Sequence, residues 1–327
     1  MNITSQDVKE FAYRQGMDLC GIASMDRFAT SPPGKRPFDI LPGAKSAVVV
    51  GVRLVEGVIN AQFRNFEDHN PQAQGIYGTY GYTIAPNFHL LYTVYAIAQY
   101  IERMTGETAV PLPCGPFGNS VPFSIRHSAV AAGLGEFGWH SIVLTPQFGP
   151  RNRFAVVLTH AELEPDPMYS GPKLCLGEKC QICAKVCPTH AISFRDEASV
   201  KVEMGGHTYE YNKLNWERCQ LAAHKMTKRL GADKDWITTD SPTAQDIQNA
   251  WDARGIDKGN NLQNNPTWHC GRCLAYCPVG NWKEKYGDKG LSQGYTAGIV
   301  PPDPKTKDQT PKETHTYSSF FDPSPHS

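Results

Sequence analysis

The sequence predicts an α+β protein with an α/β layered body over residues 1–165, a cysteine-organised module over 166–285 and a Pro/Gly-rich tail over 286–327. Three observations predict it. Apolar, β-branched runs alternate with amphipathic stretches up to about residue 165; eight of the ten cysteines lie between Cys175 and Cys277; and from Gly287 the chain is rich in Gly, Pro, Lys, Asp and Thr with little periodicity. A length of 327 residues allows one large domain or two ordinary ones. The 29 glycines and 25 prolines favour turns and exclude a coiled coil or helical repeat array. Lys+Arg and Asp+Glu are both 32, so no global field draws in nucleic acid or anionic lipid.

The elements follow in order. Ser5, Asp7, Val8, Phe11 and Ala12, with Gly16 beyond, read as a short capped amphipathic helix. Leu19 to Ala23 reads as a strand. The prolines between Ser31 and Pro37 exclude regular structure, and Ser46 to Leu54 is apolar enough for a buried strand. Residues 60–86, rich in Asn, Gln, Gly and Tyr, read as a long functional loop. Phe88 to Met104, ended by Gly106, is the strongest helix; Phe123 to Ala132, stopped by Gly133, is another, and Arg153 to Thr159 a further buried strand. Near the end of the tail, Tyr317, Phe320 and Phe321 are candidate anchors on the body. No apolar run is long enough to span a bilayer and no export signal is visible, which predicts a cytoplasmic protein. In that compartment cysteines serve as metal ligands or redox centres rather than disulfides.

The cysteines form two groups, Cys175, Cys180, Cys183 and Cys187-Pro188, then Cys270, Cys273 and Cys277-Pro278, with Cys219 between them. Both groups contain C-x2-C-x3-C-P. In two-cluster ferredoxins the last, proline-flanked cysteine of each run ligates the other cluster. By that logic one [4Fe-4S] cluster takes Cys175, Cys180, Cys183 and Cys277, and a second takes Cys187, Cys219, Cys270 and Cys273. Zinc also favours C-x2-C pairs, but rarely with two x3-C-P endings. One irregularity stands: a ferredoxin run has its first cysteine at position 177, where this chain has Gly177, so Cys175 must reach across two extra residues or leave a three-cysteine or [3Fe-4S] site. Cys20 and Cys114 read as small buried hydrophobes. The body shows neither G-x-G-x-x-G after a strand nor G-x-x-x-x-G-K-[ST].

The run from Ala131 to Gly138, then Leu144 to Pro150, Arg151-Asn152-Arg153, Thr159-His160, CQICAKVCPTHAI over 180–192 and the segment Trp216 to Cys219 resemble the corrinoid iron-sulfur reductases, which include reductive dehalogenases and epoxyqueuosine reductases. Leu19 to Ala23 and Leu41 to Ser46 agree as well, and the resemblance covers roughly residues 5–285. It implies a nitroreductase-like α/β domain holding a base-off cobalamin, followed by a ferredoxin-like domain with two [4Fe-4S] clusters. Electrons would pass through the clusters to Co(I), from an external donor such as ferredoxin or flavodoxin. Gly133, Gly135 and Gly138 would let backbone approach the macrocycle, or would simply form a helix cap and turn. Ser141, Thr145, Arg151 and Arg153 are candidate contacts to the corrin or its nucleotide tail, with Arg153 equally readable as a surface charge.

The two branches differ in their proton donor. Epoxyqueuosine reductases carry an aspartate in an Asp-Ser/Thr-Ala/Gly-Pro stretch, whereas this chain has Asn119-Ser120-Val121-Pro122, and asparagine delivers no proton. With the neutral charge, this disfavours a tRNA substrate. Reductive dehalogenases resemble one another in a tyrosine acid tuned by a cation. Tyr77, Tyr80 and Tyr82 are the candidates here, with Arg126 as partner, or they are packing aromatics; His127 and His140 are open to a packing or capping role. The first expectation is a cobalamin-dependent reductase of a small organic substrate, possible organohalides included. The alternatives are an electron-transfer or corrinoid-reducing protein, and a divergent epoxyqueuosine reductase.

Overall fold

A computed structural model describes residues 3–68, 71–112, 123–195, 199–254 and 270–280. The centre is a four-stranded sheet of β1 (Leu19–Ser24), β2 (Ser46–Arg53), β3 (Ala109–Pro111) and β6 (Asn152–Thr159), in the order β1-β2-β6-β3. Every pairing is antiparallel, with Val49 opposite Gly21 on one side and Val156 on the other. Both faces are covered, which is why β2 reads as an unbroken apolar run rather than an alternation.

On one face, α1 (Ser5–Arg14) and α4 (Ala85–Thr105) bury Val8, Ala12, Leu90, Val94, Ile97 and Ile101 against Ile22, Val48, Val50 and Val157. The helical spacing of those residues is the amphipathic stripe legible in the sequence. Thr4, rather than Ser5, caps α1, in a capping box with Asp7. Gly106 ends α4 in a left-handed conformation, as expected. The other face packs α5 (Ile125–Ala131) with Phe28, Phe123, Phe137, Phe154 and Val156. Gly21 is required there: a Cβ would come 2.5 Å from the Ala132 carbonyl oxygen. The hairpin of β7 (Ser199–Met204) and β8 (His207–Asn212) adds Met204 and Tyr211 to the same core. Thus residues from beyond position 166 complete the hydrophobic layer of the body.

Among the described residues, the expected loop over 60–86 is instead helical. It comprises α2 (Glu56–Asp68), α3 (Pro71–Tyr77) and a π-helical turn over Gly78–Thr83 that runs into α4. Its glycines and amides lower helix propensity, but Leu54, Val58, Ile59, Phe63 and Tyr77 pack on Val186, Leu274, Ala275 and Tyr276. Burial decides what propensity leaves open. Short strands β4 (Glu136–Phe137) and β5 (Val143–Leu144) form a hairpin beside α5. In the cysteine module, α6 (Ile182–Lys185) and the one-turn helix Arg272–Ala275 lie within the two motifs, α7 (Trp216–Ala223) carries Cys219, and α8 (Ala244–Ala253) packs Ile247 and Ala250 on Leu221 and Met226. No helix among the described residues is long and apolar enough to cross a membrane. Cys114, Asn119 to Pro122 and the tail lie outside the described residues.

Candidate functional site

The two C-x2-C-x3-C-P runs fold alike. In each, the residue after the first cysteine adopts a left-handed conformation, Gln181 at φ 49° and Gly271 at φ 62°, and a single helical turn follows. The carbonyl of that residue accepts the N–H groups of Ala184 and Lys185 in one run and of Leu274 and Ala275 in the other. Gly271 has no alternative, because a Cβ there would run into the Tyr77 hydroxyl.

Burial raises the thiols, and their mutual influence sorts them. Cys183 is pushed up by burial and then by its neighbours Cys277, Cys175 and Cys180. Cys277 is raised by burial to about 12, against the lowering effect of Arg151, with Cys180 and Cys175 contributing. Cys219 is likewise raised to about 12, by burial and then by Cys270 and Cys187. Cys273 is pushed up by burial, Cys270, Cys219 and Cys187, and also by Cys183 of the other set. Cys183 and Cys277 thus lie near Cys175 and Cys180, the residues of the first expected set, and Cys219 and Cys273 near Cys187 and Cys270 of the second, with Cys183 and Cys273 near each other. Trp139, His140, Cys175, Cys180, Cys183 and Cys277 line one small cavity. Among the described residues no three His, Cys, Asp or Glu side chains converge closely enough to hold a single metal ion. The first set rings a space instead of a point, and soft thiolates around such a space suit an iron-sulfur cluster. Cys20 lies apart in β1, buried, its thiol raised by burial to about 12.

Docking of the second run onto the body is specific. The Arg151 guanidinium donates to the carbonyls of Val279 at 2.8 Å, Ala275 at 3.4 Å and Cys277. Gln62 of α2 donates to the Cys270 carbonyl at 2.5 Å, and Tyr276 stacks on Phe66 and meets Phe63 edge-on.

The tyrosines divide. Tyr77 is 1% exposed in the α2–α3 core, and burial pushes its hydroxyl up, opposed by Arg153 and reinforced by Tyr82, Cys273 and Cys270. Tyr82 is 40% exposed, has the Arg153 guanidinium 5.1 Å over its ring, and is raised by desolvation, opposed by Arg153 and reinforced by Cys219 and Cys273. Tyr80 is 56% exposed. The cation that acts on Tyr77 and Tyr82 is Arg153. Arg126 is elsewhere: it donates to the Ser141 carbonyl at 2.6 Å and hydroxyl at 2.8 Å, and its charge acts on Tyr211. His127 bridges the hydroxyls of Ser124 and Tyr211, at 2.7 and 3.3 Å, and burial with Arg126 lowers it to about 4. His140 accepts the Ile142 N–H at 3.1 Å through Nδ1 and is lowered by burial, Arg151 and Arg126 to about 3.

The residues expected to cradle a corrin are used by the chain itself. A Cβ on Gly133 would meet the Pro167 carbonyl, one on Gly135 the Leu144 carbonyl, and one on Gly138 the His140 ring. Ser141 is held by Arg126; the Thr145 hydroxyl accepts from Phe148 at 3.1 Å and Asn152 at 3.3 Å; and Arg151 grips the second cysteine run. Of the seven, Arg153 alone is partly exposed beside the tyrosines. These residues do not fit a corrin cradle. Sequence reasoning also missed Glu136, Trp139 and Arg195 around the first cysteine set. Their only sequence signal is proximity to the glycine run and to Cys187-Pro188.

No protein-family model matches the chain. It is similar to the tetrachloroethene reductive dehalogenase of Dehalobacter restrictus, 34% identical over 158 residues that make up 46% of this chain and 24% of that protein. The enzyme of the same name from Sulfurospirillum multivorans is 39% identical over 123 residues, 37% of this chain and 22% of that one. Epoxyqueuosine reductase of Escherichia coli is 26% identical over 215 residues, 59% of this chain and 53% of that one. The chain thus spans about a quarter of the length of those dehalogenases and about half that of the epoxyqueuosine reductase. Among solved structures, a catabolic reductive dehalogenase shares the fold at a TM-score of 0.50 and 19% identity, over 82% of this chain and 35% of that one.

Proposed function

Starting from the relationship to both reductive dehalogenases and epoxyqueuosine reductases, we propose that this chain is an iron-sulfur oxidoreductase that carries electrons through two [4Fe-4S] clusters to a substrate bound beside Tyr82 and Arg153. The observation that carries this reading is the proximity of Cys183 and Cys277 to Cys175 and Cys180, and of Cys219 and Cys273 to Cys187 and Cys270. Cys175, Cys180, Cys183 and Cys277 would hold the outer cluster, beside Leu176, which is 53% exposed. An external carrier such as ferredoxin or flavodoxin would deliver electrons there. Cys187, Cys219, Cys270 and Cys273 would hold the inner cluster, towards Tyr77 and Tyr82. The clusters supply one-electron transfer.

The substrate class favoured by the higher-identity relatives is a small organohalide. Its reductive dehalogenation balances as R–X + 2e⁻ + H⁺ → R–H + X⁻. Tyr82 would supply the proton from its phenol oxygen, and Arg153 would stabilise the phenolate left behind. A phenol is protonated at rest at its ordinary value, and desolvation raises Tyr82 further, against the lowering effect of Arg153. Cobalamin is implied by the resemblance, but the residues named for it are otherwise engaged, and no step is assigned to it. A second reading, reduction of a modified nucleoside in tRNA, has one observation in its favour: the epoxyqueuosine reductase matches the larger share of the chain. That match returns a nucleic-acid partner to consideration.

Anaerobic iron-sulfur reconstitution tests the central claim. We expect about eight irons per chain and an EPR spectrum of two interacting [4Fe-4S]⁺ centres. Cys277→Ser should impair the same cluster as Cys183→Ser, and Cys187→Ser the same one as Cys270→Ser. Zinc at one or two per chain with no iron would overturn the reading. Halide release from organohalides, measured against tRNA binding at stated salt, separates the two substrate classes.

A further inference from the structure

Four residues, Leu176 to Lys179, separate Cys175 from Cys180, where the ferredoxin pattern has two. The structure shows how the longer loop is kept in place. The Glu136 carboxylate, at the start of β4, accepts the backbone N–H of Leu174 at 2.7 Å and of Cys175 at 3.0 Å through one oxygen. Beyond Cys175 the chain turns at Gly177, φ +68°, and makes a 3₁₀ turn over Gly177–Lys179. The extra residues are thereby folded outward, and the thiol stays with its set.

On the other side of that thiol stands a cation. The Arg195 Nη2 is 3.5 Å from the Cys175 sulfur, in N–H···S range. The guanidinium lies 4.5 Å over the Trp139 ring, and the Trp139 indole N–H is fixed to the Ser193 carbonyl at 2.8 Å. The Arg195 backbone N–H donates to the Gln181 side chain at 3.0 Å, next to Cys180. Arg195 is therefore tied to both ends of the loop it faces. Its Nε has no hydrogen-bond partner among the described residues and is buried. An arginine held this way, stacked and partly desolvated, directs charge and a donor at one sulfur.

We infer that Arg195 is a positioning residue that secures Cys175 as the fourth ligand of the outer cluster and raises that cluster's reduction potential above what its four thiolates alone would give. The inference rests on the two-cluster reading. Reduction adds one negative charge to the cluster, and a nearby cation that donates to a ligand sulfur stabilises the more negative state. The irregular spacing then ceases to threaten a [3Fe-4S] site, because Glu136 and Arg195 do what a shorter loop would do by itself.

The test is a potentiometric titration followed by EPR on reconstituted full-length protein, comparing the parent with Arg195→Gln and Arg195→Lys. In Arg195→Gln we expect one midpoint potential to move negative while the other stays, or a [3Fe-4S] signal to appear in the oxidised protein with the inner cluster intact. Arg195→Lys, which keeps the charge, should recover most of the shift and should retain all iron. Two intact clusters with both potentials unchanged in Arg195→Gln would overturn the inference while leaving the two-cluster reading in place. Were Arg195→Gln to lose all iron, Arg195→Lys decides: an unshifted potential supports the inference, and a shift equal for both clusters overturns it. A parent protein that never assembles two clusters overturns both.

Discussion

Tyr82 and Arg153 show what a single side chain's surroundings add to its identity. Three nearby tyrosines are equivalent as sequence, yet one is locked in a core, one is open to solvent, and one lies half-covered under a guanidinium. A general acid needs reach to substrate and a cation to hold its conjugate base. We therefore expect Tyr82→Phe to lower kcat by about 10²–10⁴ with cluster content unchanged. Tyr77→Phe, which removes a buried hydroxyl that has no hydrogen-bond partner among the described residues, should leave stability unchanged or raised with little effect on the chemical step, and Tyr80→Phe should leave turnover near the parent level. Turnover in Tyr82→Phe equal to the parent would remove it as proton donor. Arg126 was the wrong partner for a physical reason: adjacency to a glycine run says nothing about where a long side chain points, and here it points to Ser141.

At the scale of elements, the segment after β2 carries the lesson. Its Gly, Asn and Gln content reads as loop, but α2 and α3 supply the surface on which the second cysteine run sits. Composition reports local propensity, whereas this helix pair is stabilised by a surface contributed some two hundred residues later. The glycine run before β5 was legible as special, and of its two readings the helix cap and turn is the one its contacts describe. Its glycines admit the chain's own carbonyls, Leu144 at Gly135 and Pro167 at Gly133. Gly135→Ala should accordingly cost about 2 kcal/mol or more by overpacking, seen as a lower urea midpoint at unchanged m-value. A neutral result would mean that the β4–β5 hairpin yields easily. Gly149→Ala, whose Cβ would strike the Val279 carbonyl, should instead loosen the loop after Cys277 and speed iron loss to a chelator.

At the scale of the molecule, the described residues of the cysteine module pack on the body, since β7–β8 closes the hydrophobic layer over α5 and Arg151 grips the second cysteine run. Two buried histidines and the half-buried His127 tie the protein's stability to pH. His127 and His224 are lowered by burial to about 4, and His140 to about 3. Because the unfolded chain binds protons on these rings near pH 6.5 and the folded chain does not, their contribution is fully present above pH 6.5 and is lost as pH falls towards 4. Urea midpoints measured from pH 7.5 to 4.5 should fall with acid, and His224→Gln should flatten the slope; an unchanged slope would show that His224 is not among the groups responsible. The sequence by itself determined the strands β1, β2 and β6, helices α1, α4 and α5 to within a few residues, and the spacing of the two C-x2-C-x3-C-P runs. Those features follow from local periodicity and from motif spacing, which neighbouring residues carry. Only the tertiary structure decided the helical course of residues 56–83, the engagement of the glycine run by the chain's own backbone, the pairing of Arg153 with Tyr82, and the clamp of Glu136 and Arg195 around Cys175. Each depends on side chains meeting across long stretches of chain, and direction in space is not written in spacing.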